Sequence, residues 1–183
     1  MTKPSFSLLD PATPLTFSNG TQVYGRFIEE YSQHKAGYFI MAPSGAGKTY
    51  FVKNQVKKEW IDGDELWMVT HAHPDGAWWL EEVEIINAID ARCDVITQEA
   101  KKLGLWVVGA SNYWLKPDAI VIPDWETHKE WIADREKNHY DGGATSDRLD
   151  QVETHRNWIL EWEKQGVPKS HTVQEADAYL SKL

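Results

Sequence analysis

The tightest constraint in this sequence is an apolar run, a loop of small residues and a helical pattern that follow one another without a gap between residues 38 and 58. Tyr38-Phe39-Ile40-Met41 is short and apolar, as a buried strand is. Ala42-Pro43-Ser44-Gly45-Ala46-Gly47 follows, and Lys48-Thr49 opens a helix expected to reach about Lys58, with Phe51 and Val52 spaced against Gln55 and Val56. A buried strand needs neighbours. Leu105-Trp106-Val107-Val108 and Ala119-Ile120-Val121-Ile122 are continuous apolar runs, the pattern of strands covered on both faces in a parallel sheet. Trp60-Ile61-Asp62 and a segment near Pro168 are weaker strand candidates.

Helical patterns alternate with these runs. Val83, Ile86, Ile89, Cys93, Ile96, Ala100 and Leu103 recur at spacings of three and four, which predicts one long helix or two nearly in line, with Gly104 as C-cap. Asp124 is placed to cap a helix through about Asn138. Asp141-Gly142-Gly143 breaks the chain, and Ser146 or Asp147 opens a further helix to about Gln165. Thr172-Val173-Gln174-Glu175 reads as a capping box for a last short helix. Phe27, Ile28 and Tyr31 indicate an early helix ending near Gly37, and Ser18-Asn19-Gly20 a turn between short strands at Leu15–Phe17 and Gln22–Tyr24. The expected fold is α/β, a three-layer α/β/α sandwich with a mainly parallel sheet, built as one domain over 1–183 with a loose N-terminal lead over about 1–20.

The segment from Ala42 to Thr49 matches the Walker A pattern GxxxxGK[ST] with Ala42 in place of the first glycine. Its composition suits a polyphosphate. Small residues let successive amides turn inward around anionic oxygens, and Gly45 and Gly47 admit backbone angles closed to other residues. The helix that follows aims its positive end at the same charge. Ser44, Gly45, Ala46, Gly47, Lys48 and Thr49 are therefore the expected nucleotide-binding residues, with Lys48 on the β- and γ-phosphates and the Thr49 hydroxyl on Mg²⁺.

With this loop, the Asp62-Gly63-Asp64 pair and a late basic helical segment, the chain resembles the small P-loop kinases over about residues 36–165. These act on nucleosides, nucleotides, polynucleotides and small hydroxyl compounds. The general pattern also resembles the kinases of phage DNA modification. The resemblance implies ATP and Mg²⁺ as partners and an acid at the end of the second strand. Asp62 and Asp64 lie 14 and 16 residues after Lys48, and a strand-like backbone sets both on one side. Asp64 is the expected base for an acceptor hydroxyl, with Asp62 toward Mg²⁺; the competing reading is a simple Asp-Gly turn. Glu65-Leu66-Trp67 follows where the family often has an arginine. The resemblance also implies a lid, here near 135–156, whose arginines offset charge on the transferring group. Arg135 and Arg148 are its first candidates and Arg156 the third, against a reading as surface ion pairs with Glu136, Asp147 and Glu153. Asp124 stands where a Walker B acid would, and equally as an N-cap, the preferred reading.

Only Arg92 supplies an arginine between Thr49 and Asp134. That scarcity favours a neutral hydroxyl acceptor over a phosphorylated one. The favoured acceptor is a nucleoside or nucleic-acid hydroxyl, either a 5′ end or a hydroxymethylated base. A nucleoside monophosphate kinase and an ATP-responsive binding module without phosphotransfer are the alternatives. Trp60, Trp67, Trp78 and Trp79 cluster around the acidic pair, and either stack on a base or pack core and lid. Trp106, Trp125, Trp131, Trp158 and Trp162 sit at positions suited to core or helix contacts.

Charge and cysteine content set outer limits. A net charge of −9 gives no overall attraction for nucleic acid and leaves room only for a local groove. The single Cys93 excludes an intrachain disulfide and a cysteine-built zinc site, and its place on the long helix's apolar stripe reads as inert. His71 and His73 lack cysteine partners for a metal. There is no apolar run of spanning length and no signal-type stretch at the start, so a soluble cytoplasmic protein without membrane contact is expected.

Overall fold

A computed structural model describes residue 20 and residues 22–73, 76–139 and 143–183. Five parallel strands run through it: β1 (Phe39–Met41), β2 (Trp60–Asp62), β3 (Trp106–Gly109), β4 (Ala119–Val121) and β5 (Lys169–Ser170). Their order is β2-β3-β1-β4-β5. Phe39 pairs with Val107, Ile40 with both Val108 and Ala119, and Ile61 with Val107, all in parallel register. The continuous apolar runs are explained by cover on both faces, since side chains alternate along each strand.

Phe39, Met41, Ile61, Val107 and Ile120 join one buried cluster with helices α1 (Val23–Glu30), α3 (Gly63–Val69), α4 (Val83–Lys102) and part of α6 (Leu149–Leu160). Ile40, Trp60, Trp106, Val108, Ala119 and Val121 face the other way, onto α2 (Lys48–Asn54) and α7 (Val173–Leu180). This fits a three-layer α/β/α sandwich. A third, small cluster of Ile132, Ala144 and Val152, with Trp125 and Leu149 against it, joins α5 (Trp125–Lys137) to the start of α6.

Several expectations change. Residues 22–24 are not a strand: α1 begins at Val23, which with Phe27 fills the core beneath it. The helix ends at Glu30, before Gly37, because Tyr31 turns extended and the Ser32 amide bonds to the Lys58 carbonyl. The expected strand at Leu15–Phe17, most of the N-terminal lead and the Asp141-Gly142 hinge lie outside the described residues. α2 stops at Asn54 rather than Lys58. Gln55 leaves the helix, and its side chain accepts from the amides of Glu59 and Trp60 and donates to the Trp60 carbonyl, fixing the start of β2.

Residues 63–69 form α3, where the sequence predicts only a strand-like backbone or a turn at 62–64. The long periodic stretch is one helix of 20 residues. β3 starts one residue later than its apolar run and ends at Gly109. The helix expected from Ser146 to Gln165 is α6, flanked by 3₁₀ turns at Ser146–Arg148 and Glu163–Gln165. Asp124 stands at the N-cap position of α5, yet its side chain caps no amide, and it is exposed. Thr172 caps α7 by accepting from the Glu175 amide, while the Glu175 carboxylate reaches the His171 amide instead of completing the box. Trp131 and Trp158, expected in contacts, are 37% and 43% exposed. No helix among the described residues is long and apolar enough to cross a membrane.

Candidate functional site

In this strand order the chain leaves β1 through α2 toward one edge of the sheet, and leaves β4 through α5 and α6 toward the other. A crevice opens where such connections diverge, at the carboxyl ends of β1 and β4, and ligands of parallel sheets bind there. The loop from Ala42 to Gly47 lies at that point. Gly45 and Gly47 both adopt the left-handed region, with φ of 83° and 84°. At Gly45 a side chain is excluded twice: its Cβ would lie 2.7 Å from Ile132 Cγ1 on α5, and the backbone angle would be strained.

Lys48 is buried in the first position of α2, and its ammonium donates to the carbonyls of Ala42 (3.1 Å) and Pro43 (2.8 Å). Burial lowers its pKa, while the charges of Asp64 and Asp62 oppose that shift and Arg135 adds to it. The four groups therefore share one electrostatic neighbourhood. The Thr49 hydroxyl donates to Asp62 Oδ2 at 2.9 Å, so the end of the loop is joined to the end of β2. Asp62 is buried, and its pKa is raised, first by burial and then by Asp64, against the pull of Lys48 and Thr49.

The expectation that a strand aligns Asp62 and Asp64 is corrected. Asp62 ends β2 and caps α3, its Oδ1 accepting from the Asp64 amide at 3.1 Å. Asp64 belongs to the first turn of α3, with a side chain 59% exposed and Oδ1 4.0 Å from His73 Nε2. The pair therefore forms a helix cap, with Asp62 bonded to the Thr49 hydroxyl and Asp64 largely exposed.

The arginines expected in a lid divide. Arg135 is half-buried, hydrogen-bonds the Ala144 carbonyl and lies close enough to act on Lys48. Arg148 closes the 3₁₀ turn before α6 and acts on its neighbour Asp147; among the described residues it has no hydrogen bond to the loop. Arg156 is buried on α6 and bonds His128.

His128 carried no expectation from sequence, and the structure sets it against the loop: Nε2 is 2.9 Å from the Ser44 carbonyl oxygen. The Ser44 hydroxyl accepts from the Ala144 amide at 2.9 Å. His155 also lies here. Burial, then the charge of Lys48, lowers its pKa to about 4, with the Ala110 main chain as its hydrogen-bond partner. No local signal marks these histidines, because their partners are 84 and 45 residues away in the chain.

Of the ten tryptophans, Trp60 and Trp67 are fully buried, so the stacking role fails for both. Trp78 is half-buried beside His73, with ring centroids 5.7 Å apart, and Trp79 is 39% exposed. Arg92 is buried and hydrogen-bonds the His71 carbonyl. Cys93 is buried, and burial holds its thiol far above the usual range. Among the described residues no cluster of three or more His, Cys, Asp and Glu is set to hold a metal. The Thr49 and Asp62 oxygens nonetheless fit Mg²⁺, a hard cation that keeps most of its shell as water and phosphate oxygen. No protein-family model matches the sequence, and no curated protein matches it either.

Proposed function

We propose that this protein is an ATP-dependent kinase with a P-loop kinase-like fold, transferring the γ-phosphoryl group to a hydroxyl acceptor. The observation that carries the reading is the 2.9 Å bond from Thr49 to Asp62 beside buried Lys48. It joins the hydroxyl, carboxylate and ammonium that magnesium-dependent phosphoryl transfer uses. Thr49 and Asp62 would hold magnesium together with the triphosphate, and the ion would supply screening of the phosphate charge. The loop amides from Ser44 to Gly47 hold the phosphates, and Lys48 turns from the loop carbonyls to them. Asp64 orients the acceptor hydroxyl and takes its proton as the new oxygen–phosphorus bond forms and the bond to the β-phosphate bridge breaks, with ADP leaving. Arg135 stabilises charge on the phosphoryl oxygens. Arg148 has no observation in its favour.

The favoured acceptor is a nucleoside or nucleic-acid hydroxyl. Arg92, the only arginine between Thr49 and Asp134, is engaged with a main-chain carbonyl, which weighs against an acceptor held by its phosphate. The test is transfer of labelled γ-phosphate to pools of nucleosides, monophosphates, sugars, 5′-hydroxyl oligonucleotides and hydroxymethylated DNA. Label is expected in a hydroxyl pool. Lys48→Ala should cut transfer by about a hundredfold or more. Asp64→Asn should do the same while leaving ATP binding nearly intact. A fully active Asp64→Asn protein removes the proposed base, and label confined to monophosphates replaces the acceptor class.

A further inference from the structure

We propose that His128 is a positioning residue for the phosphate loop: it fixes the orientation of the peptide between Ser44 and Gly45, and Arg156 fixes the orientation of His128. The proposal rests on the loop's being a polyphosphate site. His128 is fully buried one turn into α5. One edge of its ring meets the Ser44 oxygen at 2.9 Å, and the other places Nδ1 2.9 Å from Arg156 Nη1. A carbonyl only accepts and a guanidinium only donates. The ring must therefore carry its proton on Nε2 and present a bare Nδ1. Burial agrees, lowering its pKa to about 4.

Arg156 is itself held. Its guanidinium carbon lies 5.0 Å from the centre of the Trp125 ring, and the charges of Asp124 and Glu153 act on it. The chain from Trp125 through Arg156 and His128 to Ser44 thus has one direction and one protonation pattern.

The consequence lies in peptide geometry. A trans peptide holds the carbonyl of one residue antiparallel to the amide of the next. With the Ser44 oxygen drawn to α5, the Gly45 amide points away from α5. Glycine alone would let that unit turn over, because it is as free at positive as at negative φ. Turned over, it would present a carbonyl oxygen to an anion where an amide is wanted. His128 holds one of the two orientations without touching the ligand.

The test is calorimetric binding of MgATP to the parent, His128→Gln and His128→Leu, each verified as folded by circular dichroism. Leucine removes the donor, and affinity should fall roughly tenfold, the scale of one lost hydrogen bond. Glutamine can donate from nearly the same place and should recover most of that loss. A folded His128→Leu protein that binds like the parent overturns the proposal, as does a glutamine variant no better than leucine. Should His128→Leu fail to fold, nitrogen NMR of the parent decides. Protonated Nε2, bare Nδ1 and a Gly45 amide that shifts on adding inorganic tripolyphosphate support the proposal; the opposite tautomer or an unmoved Gly45 amide overturns it. A parent that binds no MgATP removes the phosphate-loop reading itself, whereas failure of the leucine comparison alone leaves that reading standing.

Discussion

The Trp67 indole lies in a slot between two glycines. A Cβ on Gly109 would lie 2.2 Å from Trp67 Cη2, and one on Gly63 would lie 2.7 Å from the same atom. The indole N–H finds the Thr97 hydroxyl at 3.0 Å, so a fully buried tryptophan leaves no donor orphaned. Gly109→Ala should destabilise the protein by about 1–3 kcal/mol through overpacking, read as a lower urea midpoint. An unchanged midpoint would mean that the slot is looser than these distances. Asp90 makes a second prediction at this scale. Burial and then the neighbouring Asp94 push its carboxyl up to about 8, against a hydrogen bond from Ser111. The native state therefore holds a proton that the unfolded chain releases near pH 4, and stability falls as pH rises from there through about 8. Asp90→Asn should match the parent at pH 4 and exceed it at pH 8 by about 1 kcal/mol or more; equal pH profiles in urea denaturation would refute the assignment. Lys48, Thr49 and Asp62 were legible as a set, because a short motif and a strand end bring them together. His128 was not, because a histidine early in a polar helix reads as solvent-facing until α5 is folded over the loop.

Elements failed to read from sequence where side chains compete with the backbone for amides. Gln55 spends its amide group on the start of β2, and α2 ends there although the periodic pattern runs on. Asp62 does the reverse, opening α3 from a strand end in a stretch with no clear period. The long helix α4 was plain from its spacing, yet one residue on it was not. Asp94 is fully buried and accepts from the amides of Tyr113, Trp114 and Leu115 and from the Asn112 side chain. Those bonds pin the turn after β3 onto α4. The Asn112 oxygen continues the network by accepting from Trp162 Nε1 at 3.0 Å. Asp94→Ala leaves three main-chain amides without that partner, and should cost about 2–4 kcal/mol. The loss is expected together with faster hydrogen exchange confined first to residues 111–115. A variant as stable as the parent would show that water or a rearranged turn serves equally well.

At the scale of the whole molecule, the sheet and the loop belong to different mechanical units. The two large clusters grip both faces of β1, β3 and β4, and all three strands are buried along their length. Among the described residues, the unit from α5 to the start of α6 has its own small core of Ile132, Ala144 and Val152, with Trp125 and Leu149 against it, and it meets the loop through Ser44 and Gly45. A small core opposes little entropy, so this unit should open at lower free energy than the sheet. Ile159 anchors the far end of α6 in the main core, which sets where the opening stops. Hydrogen exchange is therefore expected to proceed first in residues 125–137 and 143–152, later in 156–160, and last in β1, β3 and β4. MgATP should slow the first group selectively, because a loop filled with phosphate and clasped by His128 and Ala144 holds that unit in place. Exchange of α5 at the rate of the central strands would make the α5–α6 unit and the sheet one cooperative body. Protection by MgATP that spread evenly over the chain would mean that the nucleotide stabilises the fold without engaging α5 and α6 in particular.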